Sequence, residues 1–383
     1  MTATDPPGPG QSLATGAAGI ALLDVQRGDW AALRTRAAEM TREPLIADPE
    51  ACGLFYGAPA VAFTLHAAQQ PAYTAVLDTL DRHLDTLTRR RLDRAHRRIE
   101  DGALPQLREF DLISGLTGIG TYLLNRHGSG YLLCDVLAYL VRLTRPLKAG
   151  TETLPGWWSS DSPAGQPSAQ WPGGHGNLGL AHGICGPLAL MSAAIRRGIE
   201  VPGQREAIDR ICSHLDRWRT GTGTRAWWPG TISRSEWLSR TSRQRGPERP
   251  SWCYGTPGLA RAQQLAALAL GSPQRQQQAE QALAGCVAGD TQLSRLVDAS
   301  LCHGWAGLVH TTGRIAADSS GSDALTACLP GLRARLDQHL RRHGLPAQPG
   351  LLEGRAGVQL VQRTGATGMP LENRWDACLL LNG

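Results

Sequence analysis

The stretches GNLGLAHGICGPLAL (residues 176–190), PSWCYGTPGLARAQQL (250–265) and LCHGWAGLVHTT (301–312) decide the fold of this chain, because they repeat one pattern. In each stretch a glycine is followed three residues later by a second glycine and then by an apolar run. The pattern recurs along the chain, with Ala60 replacing the second glycine of the second copy. The seven copies begin at Gly16, Gly57, Gly115, Gly183, Gly255, Gly304 and Gly354.

Successive copies are far enough apart for two helices and a loop, since their first glycines lie 41 to 72 residues from one another. The intervening segments, such as YTAVLDTLDRHLDTLTRRRL (residues 73–92), have helical apolar spacing. A single helical hairpin cannot bury its own apolar face, so seven of them should pack side by side. Because the first and last copies both keep the motif, we predict an all-α fold, a closed α/α toroid with all seven glycine turns on one rim.

The domain organisation follows from this repeat. A length of 383 residues suggests two or three domains of about 150 residues each, but a closed repeat array overrides that expectation. We therefore predict one toroid domain over residues 12–383, preceded by a flexible Pro/Gly-rich N-terminus, residues 1–11.

Composition limits the functional classes. The chain has no apolar run of about 18 residues, and its N-terminus does not resemble a signal peptide, so we expect a soluble cytoplasmic protein and not an integral membrane protein. Nine dispersed cysteines fit a reducing compartment. The formal charge of +6 is concentrated in residues 82–98 and 234–249, which favours solvated helix faces over a nucleic-acid patch, while a surface for an acidic peptide stays open.

Three residues with side chains suited to a metal occur at the same phase of neighbouring copies, that is, in the two positions just before the first glycine. Cys253 lies two residues before Gly255, while Cys302 and His303 immediately precede Gly304. Two thiolates and one imidazole form a three-ligand zinc set with an open fourth position, which is typical of a catalytic centre. The alternative is that they are core cysteines and a helix-capping histidine. We expect a zinc site on the rim that activates a thiol, because thiolate ligands leave a bound sulfur nucleophilic.

Further candidates lie in the approaches to the same turns. His182 precedes Gly183 and could act as acid or base, or could simply cap a helix. Asp111 could orient His182 or relay a proton, and Arg249 could hold an enolate oxygen or fix a metal ligand. Tyr254 could donate a hydrogen bond to a metal-bound group. Loop salt bridges and packing explain these last three equally well. Together, a further set of residues in the loops that lead to this rim is predicted to form the walls of a peptide groove, although simple loop packing accounts better for any single one: His175, Cys185, Trp157, Trp158, Trp171, Trp227 and Trp228. Cys185 could also be inert, or could bind metal or substrate.

The motifs GNLGLAHGICGPLAL, RPSWCYGTPG and LCHGWAGL together resemble the signatures of the lanthipeptide cyclases and their LanC-like relatives, from about Ser12 to the C-terminus. The resemblance implies an α/α toroid with a central Zn²⁺ held by Cys253, Cys302 and His303. It also implies acid/base work for His182 and active-site positions for Asp111, Arg249 and Tyr254.

By the same resemblance the chain is similar to stand-alone cyclases, which add cysteine thiols of a dehydrated precursor peptide to dehydroalanine or dehydrobutyrine. The expected partners are that peptide with its leader, a separate dehydratase and an export transporter. Two alternatives stay open: a glutathione-type transferase of the same family, and a non-catalytic zinc-stabilised scaffold. A carbohydrate-active barrel is disfavoured, because it needs two rim carboxylates at hydrolytic spacing.

Overall fold

The computed structural model describes residues 8–150, 152–319, 323–367 and 374–382. Within these ranges the chain is mainly helical. The α-helices are α1 (Ala17–Arg27), α2 (Trp30–Met40), α3 (Ala58–Ala67), α4 (Thr74–Glu100), α5 (Leu107–Phe110), α6 (Leu116–Arg126), α7 (Tyr131–Leu143), α8 (Cys185–Arg196), α9 (Gln204–Trp218), α10 (Arg234–Ser239), α11 (Thr256–Leu270), α12 (Pro273–Ala288), α13 (Asp290–Leu293), α14 (Trp305–Ala317), α15 (Asp323–His343) and α16 (Arg355–Thr367).

In the part of the chain that the structure describes, four short strands form two antiparallel ribbons outside the helices. Strands β1 (Leu147–Ala149) and β2 (Glu152–Leu154) form one ribbon. Strands β3 (His175–Asn177) and β4 (Thr231–Ser233) form the other, with His175 opposite Ser233. The second ribbon matters for the site, because β3 enters the fourth glycine turn.

The helices that follow the glycine turns form a closed inner ring. Helices α1, α3, α6, α8, α11, α14 and α16 pack in that order, and α16 packs back against α1. Outer helices α2, α4, α7, α9, α12 and α15 follow the first six inner helices. The predicted all-α toroid is confirmed, with one difference in the seventh unit. The described chain after α16 is not an outer helix but a segment that packs inside the ring.

Backbone hydrogen bonds join the seven glycine turns into a complete circle. Each turn donates an N–H to a carbonyl of the next turn, and the seventh returns to the first. These bonds are Leu13 to Phe55, Phe55 to Ile113, Leu112 to Ala181, Leu180 to Cys253, Cys253 to Cys302, Cys302 to Leu352 and Leu351 to Ala14. Since the turns bond laterally, they all lie on one rim, and residues at the same phase of successive turns become neighbours.

The second glycine of the motif is required by a close backbone contact. A Cβ on Gly258 would lie 1.9 Å from the carbonyl oxygen of Trp252, six residues earlier, and a Cβ on Gly307 would lie 2.1 Å from that of Leu301. The second copy tolerates Ala60 because its turn enters differently, with Gly57 at φ +78° in the left-handed region that favours glycine.

Helix α4 shows how a basic run becomes an outer helix. Its leucines, including Leu84 and Leu87, are buried against the ring, while most of its arginines face solvent. Arg91 is buried instead, and its guanidinium donates to the carbonyls of Pro49, Ser114 and Cys52. The prediction of a helix with one solvated face therefore holds for residues 82–98. Among the described residues, no helix is both long and apolar enough to cross a bilayer.

The described residues nearest the two ends of the chain, from 8 and up to 382, include segments that pack more tightly than the sequence suggested. Residues 1–7 of the predicted flexible N-terminus lie outside the described residues, but Pro9–Gln11 form a 3-10 helix. Gln11 is 1% exposed, and its side-chain amide donates to the carbonyl of Pro44 and accepts from the N–H of Ile46. The boundary at residue 12 thus falls inside a packed segment, because Gln11 satisfies the backbone of residues 44–46.

The segment after α16 occupies the interior of the ring. The 3-10 helix Trp375–Leu379 contacts α6, and Asp376 bonds to His310 and Arg314 of α14 on the far side. Arg261 of α11 donates to the carbonyl of Leu381. Helices α6 and α14 are three places apart in the ring of seven inner helices. A segment that contacts both of them must therefore lie inside the ring.

Candidate metal centre on the toroid rim

Cys253, Cys302 and His303 come together although 49 residues of sequence separate the first two. Their turns are adjacent in the ring, and the N–H of Cys253 donates to the carbonyl of Cys302 at 3.4 Å. One donor atom from each side chain lies within 4.8 Å of the other two. Tetrahedral zinc with Zn–S bonds of about 2.3 Å places two sulfurs about 3.8 Å apart, so this donor set and its spacing fit the ion.

The electrostatics of the cluster favour a thiolate. The Cys302 thiol donates a hydrogen bond that holds the pKa of Cys253 well below its usual value, against the opposing effect of burial and with a further contribution from His303. The same hydrogen bond raises the pKa of Cys302. Contact with Cys253 also raises the pKa of His303. The two thiols and the imidazole thus share their protons, as expected of groups that a cation would replace.

A carboxylate that the sequence did not single out lies behind His303. Asp298 Oδ2 is 3.6 Å from His303 Nε2 and 3.7 Å from an Arg249 guanidinium nitrogen. Asp298 Oδ1 accepts from the N–H of Ser300 at 2.8 Å, which fixes the carboxylate within its turn. The signal was available, because Asp298 precedes Cys302 by four residues, the same offset that separates Arg249 from Cys253.

His182 is oriented by Asp111 on an adjacent turn. His182 Nδ1 and Asp111 Oδ2 are 2.6 Å apart, and Asp111 Oδ1 accepts from the N–H groups of Ser114 and Gly115 before α6. Asp111 is 2% exposed, whereas the His182 side chain is 36% exposed. Burial lowers the pKa of His182, but hydrogen bonding and charge from Asp111, with the charge of Cys253, outweigh it and raise the pKa.

Tyr254 lies between His182 and a residue that sequence reasoning missed. Its ring stacks on His182, with centroids 6.4 Å apart and planes at 27°. Its hydroxyl oxygen accepts from Asn177 Nδ2 at 3.1 Å. Burial raises the pKa of Tyr254 to about 12, so the hydroxyl is protonated. Asn177 was not recognisable from the sequence because it carries no metal-type or titratable side chain.

Of the tryptophans predicted to form either groove walls or loop packing, Trp158 and Trp228 take the second role, while Trp171 and Trp227 are half-buried. Trp158 and Trp228 are buried in the core, and their indole N–H groups donate to the carbonyls of Gly173 and Leu215. Trp157 instead lines a cavity of about 790 Å³ beside the outer helix α9. These aromatic residues hold the loops against α9 and the ribbons, which only tertiary packing could decide.

Two further rim candidates have buried positions. Cys185 is fully buried at the start of α8, and burial raises the pKa of its thiol, so it is not one of the three clustered donors. His175 is also fully buried, and its ring bonds to the polypeptide rather than facing a groove.

Comparison with known proteins agrees with this architecture. The family profile of the lanthionine synthetase C-like proteins matches residues 9–380. The nisin biosynthesis protein NisC of Lactococcus lactis subsp. lactis is 24% identical over 314 residues, covering 80% of this chain and 72% of that protein. The solved structure of nisin cyclase superposes with a TM-score of 0.80 at 22% identity, covering 98% of this chain and 93% of that one. The chain therefore belongs to the lanthionine synthetase C-like family.

Proposed function

We propose that this protein is a zinc-dependent lanthipeptide cyclase, which adds cysteine thiols of a dehydrated precursor peptide to dehydroalanine or dehydrobutyrine. The observation that carries the proposal is the set of two thiols and one imidazole within 4.8 Å, near a histidine held by a buried carboxylate. Membership in the family and the likeness to a nisin biosynthesis protein support it.

Cys253, Cys302 and His303 are the residues that would hold the zinc ion. Zinc bound by two thiolates lowers the pKa of a further coordinated thiol and leaves its sulfur nucleophilic. The Asp298 carboxylate lies 3.6 Å from His303 Nε2, where it is placed to orient the imidazole that would hold the ion. Arg249 balances the charge of Asp298, which supports the alternative that it fixes a metal ligand rather than an enolate oxygen.

The reaction requires one proton to move. The C–S bond forms at the β-carbon of the dehydroamino acid, the C=C π pair moves onto the adjacent amide as an enolate, and the α-carbon then takes a proton. The thiol loses its proton, so the product has the same mass as the reactants. His182 can take the thiol proton and return it to the α-carbon, because Asp111 holds Nδ1 and leaves Nε2 free. Its raised pKa favours the proton-holding form needed for the second step.

The proposed reaction also defines the partners. A chain that consumes dehydroalanine or dehydrobutyrine needs a dehydratase to supply them, and we propose that this is a separate protein. The substrate would be a precursor peptide with its leader, modified in the cytoplasm and then passed to an export transporter.

The first test is metal content by elemental analysis of wild type, Cys253→Ala and Cys328→Ala. Cys328 lies on the outer helix α15, away from the three donors, and serves as the matched cysteine control. We expect about one zinc per chain in wild type and in Cys328→Ala, and none in Cys253→Ala. Wild-type protein without zinc would leave a toroidal scaffold as the better interpretation.

The second test measures ring closure in a synthetic peptide that contains one cysteine and one dehydroalanine. Because closure leaves the mass unchanged, the readout is loss of the peptide thiol that N-ethylmaleimide labels, scored by mass spectrometry. We expect wild type to remove that thiol and Cys302→Ala to lose zinc and activity together. Cyclisation by a metal-free Cys302→Ala protein would contradict the zinc mechanism.

A further inference from the structure

The side-chain amide of Asn177 has one orientation, which its neighbours determine. Asn177 is fully buried in β3, and the backbone N–H of Gly179 lies 3.0 Å from Asn177 Oδ1. A backbone N–H can only donate, so the atom that faces it must be the amide oxygen. The amide nitrogen then faces Tyr254 Oη at 3.1 Å and His175 Nε2 at 3.5 Å.

His175 confirms this orientation independently. Its Nδ1 lies 2.8 Å from the carbonyl oxygen of Asp161, and a carbonyl can only accept, so Nδ1 carries the hydrogen. Burial lowers the pKa of His175 to about 4, which makes the ring neutral near pH 7. Neutral imidazole with hydrogen on Nδ1 has an acceptor at Nε2, and that acceptor requires a donor from Asn177. Both N–H groups of the amide are therefore committed, one to His175 and one to Tyr254.

The orientation of the Asn177 amide determines the direction of the Tyr254 hydroxyl hydrogen. Its oxygen already accepts from Asn177, so its own hydrogen must point away from Asn177. The Tyr254 ring stacks on His182, with centroids 6.4 Å apart, and Tyr254 directly follows Cys253 in the chain, so its hydroxyl belongs to the same part of the rim as these residues. Tyr254 is thus a hydrogen-bond donor of fixed polarity on the side of the metal centre.

We propose that Asn177 and His175 are positioning residues that orient the Tyr254 hydroxyl as a donor to the substrate oxygen that becomes negative when the thiol adds. This proposal rests on the cyclase function for its substrate, but the direction of the hydroxyl does not. A donor oriented before the reaction stabilises a developing oxyanion without reorganisation. The β3–β4 ribbon supplies the rigidity, because Asn177 is paired with Thr231 in register.

The direction of the hydrogen bonds between His175, Asn177 and Tyr254 can be tested without any substrate, through the tautomer of His175. Protein labelled with ¹⁵N-histidine reports the tautomer through the ring nitrogen shifts of His175, whose ring is assigned in the wild-type chain by its contacts to the Trp171 ring, 5.3 Å away. We expect neutral His175 with hydrogen on Nδ1 and an unprotonated Nε2 at pH 7. Hydrogen on Nε2 would overturn the proposal, because Asn177 could not then donate to His175. This measurement uses the wild-type chain, so it stands even where a buried substitution prevents folding.

Kinetics of the same one-cysteine, one-dehydroalanine peptide test the effect on the reaction. In Asn177→Asp, a carboxylate oxygen replaces the amide nitrogen and accepts from Tyr254, which turns the hydroxyl hydrogen away from the substrate. We expect kcat to fall about 10²-fold, as far as in Tyr254→Phe, with KM changed less than about threefold and no further loss in the double variant.

A purely structural role predicts a different result. It would lower zinc content or the unfolding midpoint in Asn177→Asp, and its effect on kcat would add to that of Tyr254→Phe. Additive losses, or full activity in Asn177→Asp, would overturn the proposal. A wild-type protein that cyclises nothing would instead refute the proposed function, while the tautomer measurement would still decide the direction of the hydroxyl.

Discussion

Two histidine–carboxylate pairs of similar length lie in different parts of this protein. On the rim, His182 Nδ1 is 2.6 Å from Asp111, and the histidine side chain is 36% exposed. Inside the ring, His310 Nε2 is 2.8 Å from Asp376, and the two side chains are 4% and 0% exposed. The pairs therefore differ in what surrounds them rather than in the bond itself.

The surroundings indicate a chemical role for the pair on the rim and a structural role for the pair inside the ring. Asp376 is saturated by side chains, since Arg314 shares its Oδ2 with His310 and Asn382 donates to its Oδ1. His310 also stacks on Trp375, with centroids 4.9 Å apart. The second oxygen of Asp111 accepts from backbone N–H groups, and among the described residues no hydrogen bond is made by the far nitrogen of His182. A nitrogen on a partly exposed side chain can move protons, whereas a buried pair with every oxygen bonded holds a segment in place.

The largest expected effect is on the rim pair. In His182→Asn we expect cyclisation to fall about 10²- to 10⁴-fold, because the group that carries the proton is gone, while zinc stays bound. Cyclisation rate and metal content measured on the same preparation check this. Wild-type activity in His182→Asn would remove the distinction between the two pairs.

The buried pair should respond in stability instead. Asp376→Asn leaves Arg314 without its counter-charge, and we expect the free energy of unfolding to fall by about 2–3 kcal/mol. This lies below the cost for a fully buried pair, because Arg314 is 27% exposed. Urea denaturation measures the loss, and zinc content and activity per folded molecule should match wild type. A loss of activity without a loss of stability would show that the interior pair also serves the reaction.

A third carboxylate–histidine contact, Asp298 to His303, sharpens the comparison at the metal centre. In Asp298→Asn we expect zinc affinity to fall about 10- to 100-fold, because the histidine that would hold the ion loses the neighbouring carboxylate that orients its ring. Competition with a chromogenic chelator measures the affinity. The matched control is Glu353→Gln, whose carboxylate lies 4.0 Å from His303 Nδ1 and is 64% exposed. Equal losses in both variants would argue for general charge rather than orientation.

The smallest expected effect is the pH dependence of the buried pair. Burial alone would raise the pKa of Asp376, but Arg314, His310 and Asn382 outweigh it and lower the pKa in the fold. A carboxyl with a lowered folded pKa stabilises the protein above its unfolded pKa, near 4, and loses that contribution as pH falls.

The difference in the free energy of unfolding between wild type and Asp376→Asn should therefore be constant from about pH 7 to 5. It should narrow below about pH 4, by at most about 1.4 kcal/mol per pH unit. Urea denaturation across this range checks it, and Asp337→Asn on the exposed face of α15 is the control that should parallel wild type. A gap that stays constant down to pH 3 would contradict the charge balance described for Asp376.

The glycine pairs made the toroid predictable. The second glycine contacts a carbonyl six residues earlier, so the requirement is local and appears in the sequence as a repeated spacing. Repetition also made the candidate cluster predictable, since Cys253, Cys302 and His303 share one phase and the turns bond laterally in a ring. The expected closeness of Asp111 and His182 followed from their places in the approaches to two adjacent glycine turns.

Contacts between different parts of the chain were decided only by the tertiary structure. The orientation of Asn177, the carboxylate of Asp298 behind His303 and the burial of Trp158 depend on loops whose sequences do not repeat. The placement of residues 374–382 inside the ring depends on Arg261 and Asp376, which meet their partners across the interior. The sequence by itself determined the ring and the phase of its reactive side chains, because both arise from short-range repetition. The direction of the hydrogen bond between Asn177 and Tyr254 and the placement of residues 374–382 inside the ring were decided by the tertiary structure. Both depend on contacts between residues far apart in the chain, which a local sequence pattern does not predict.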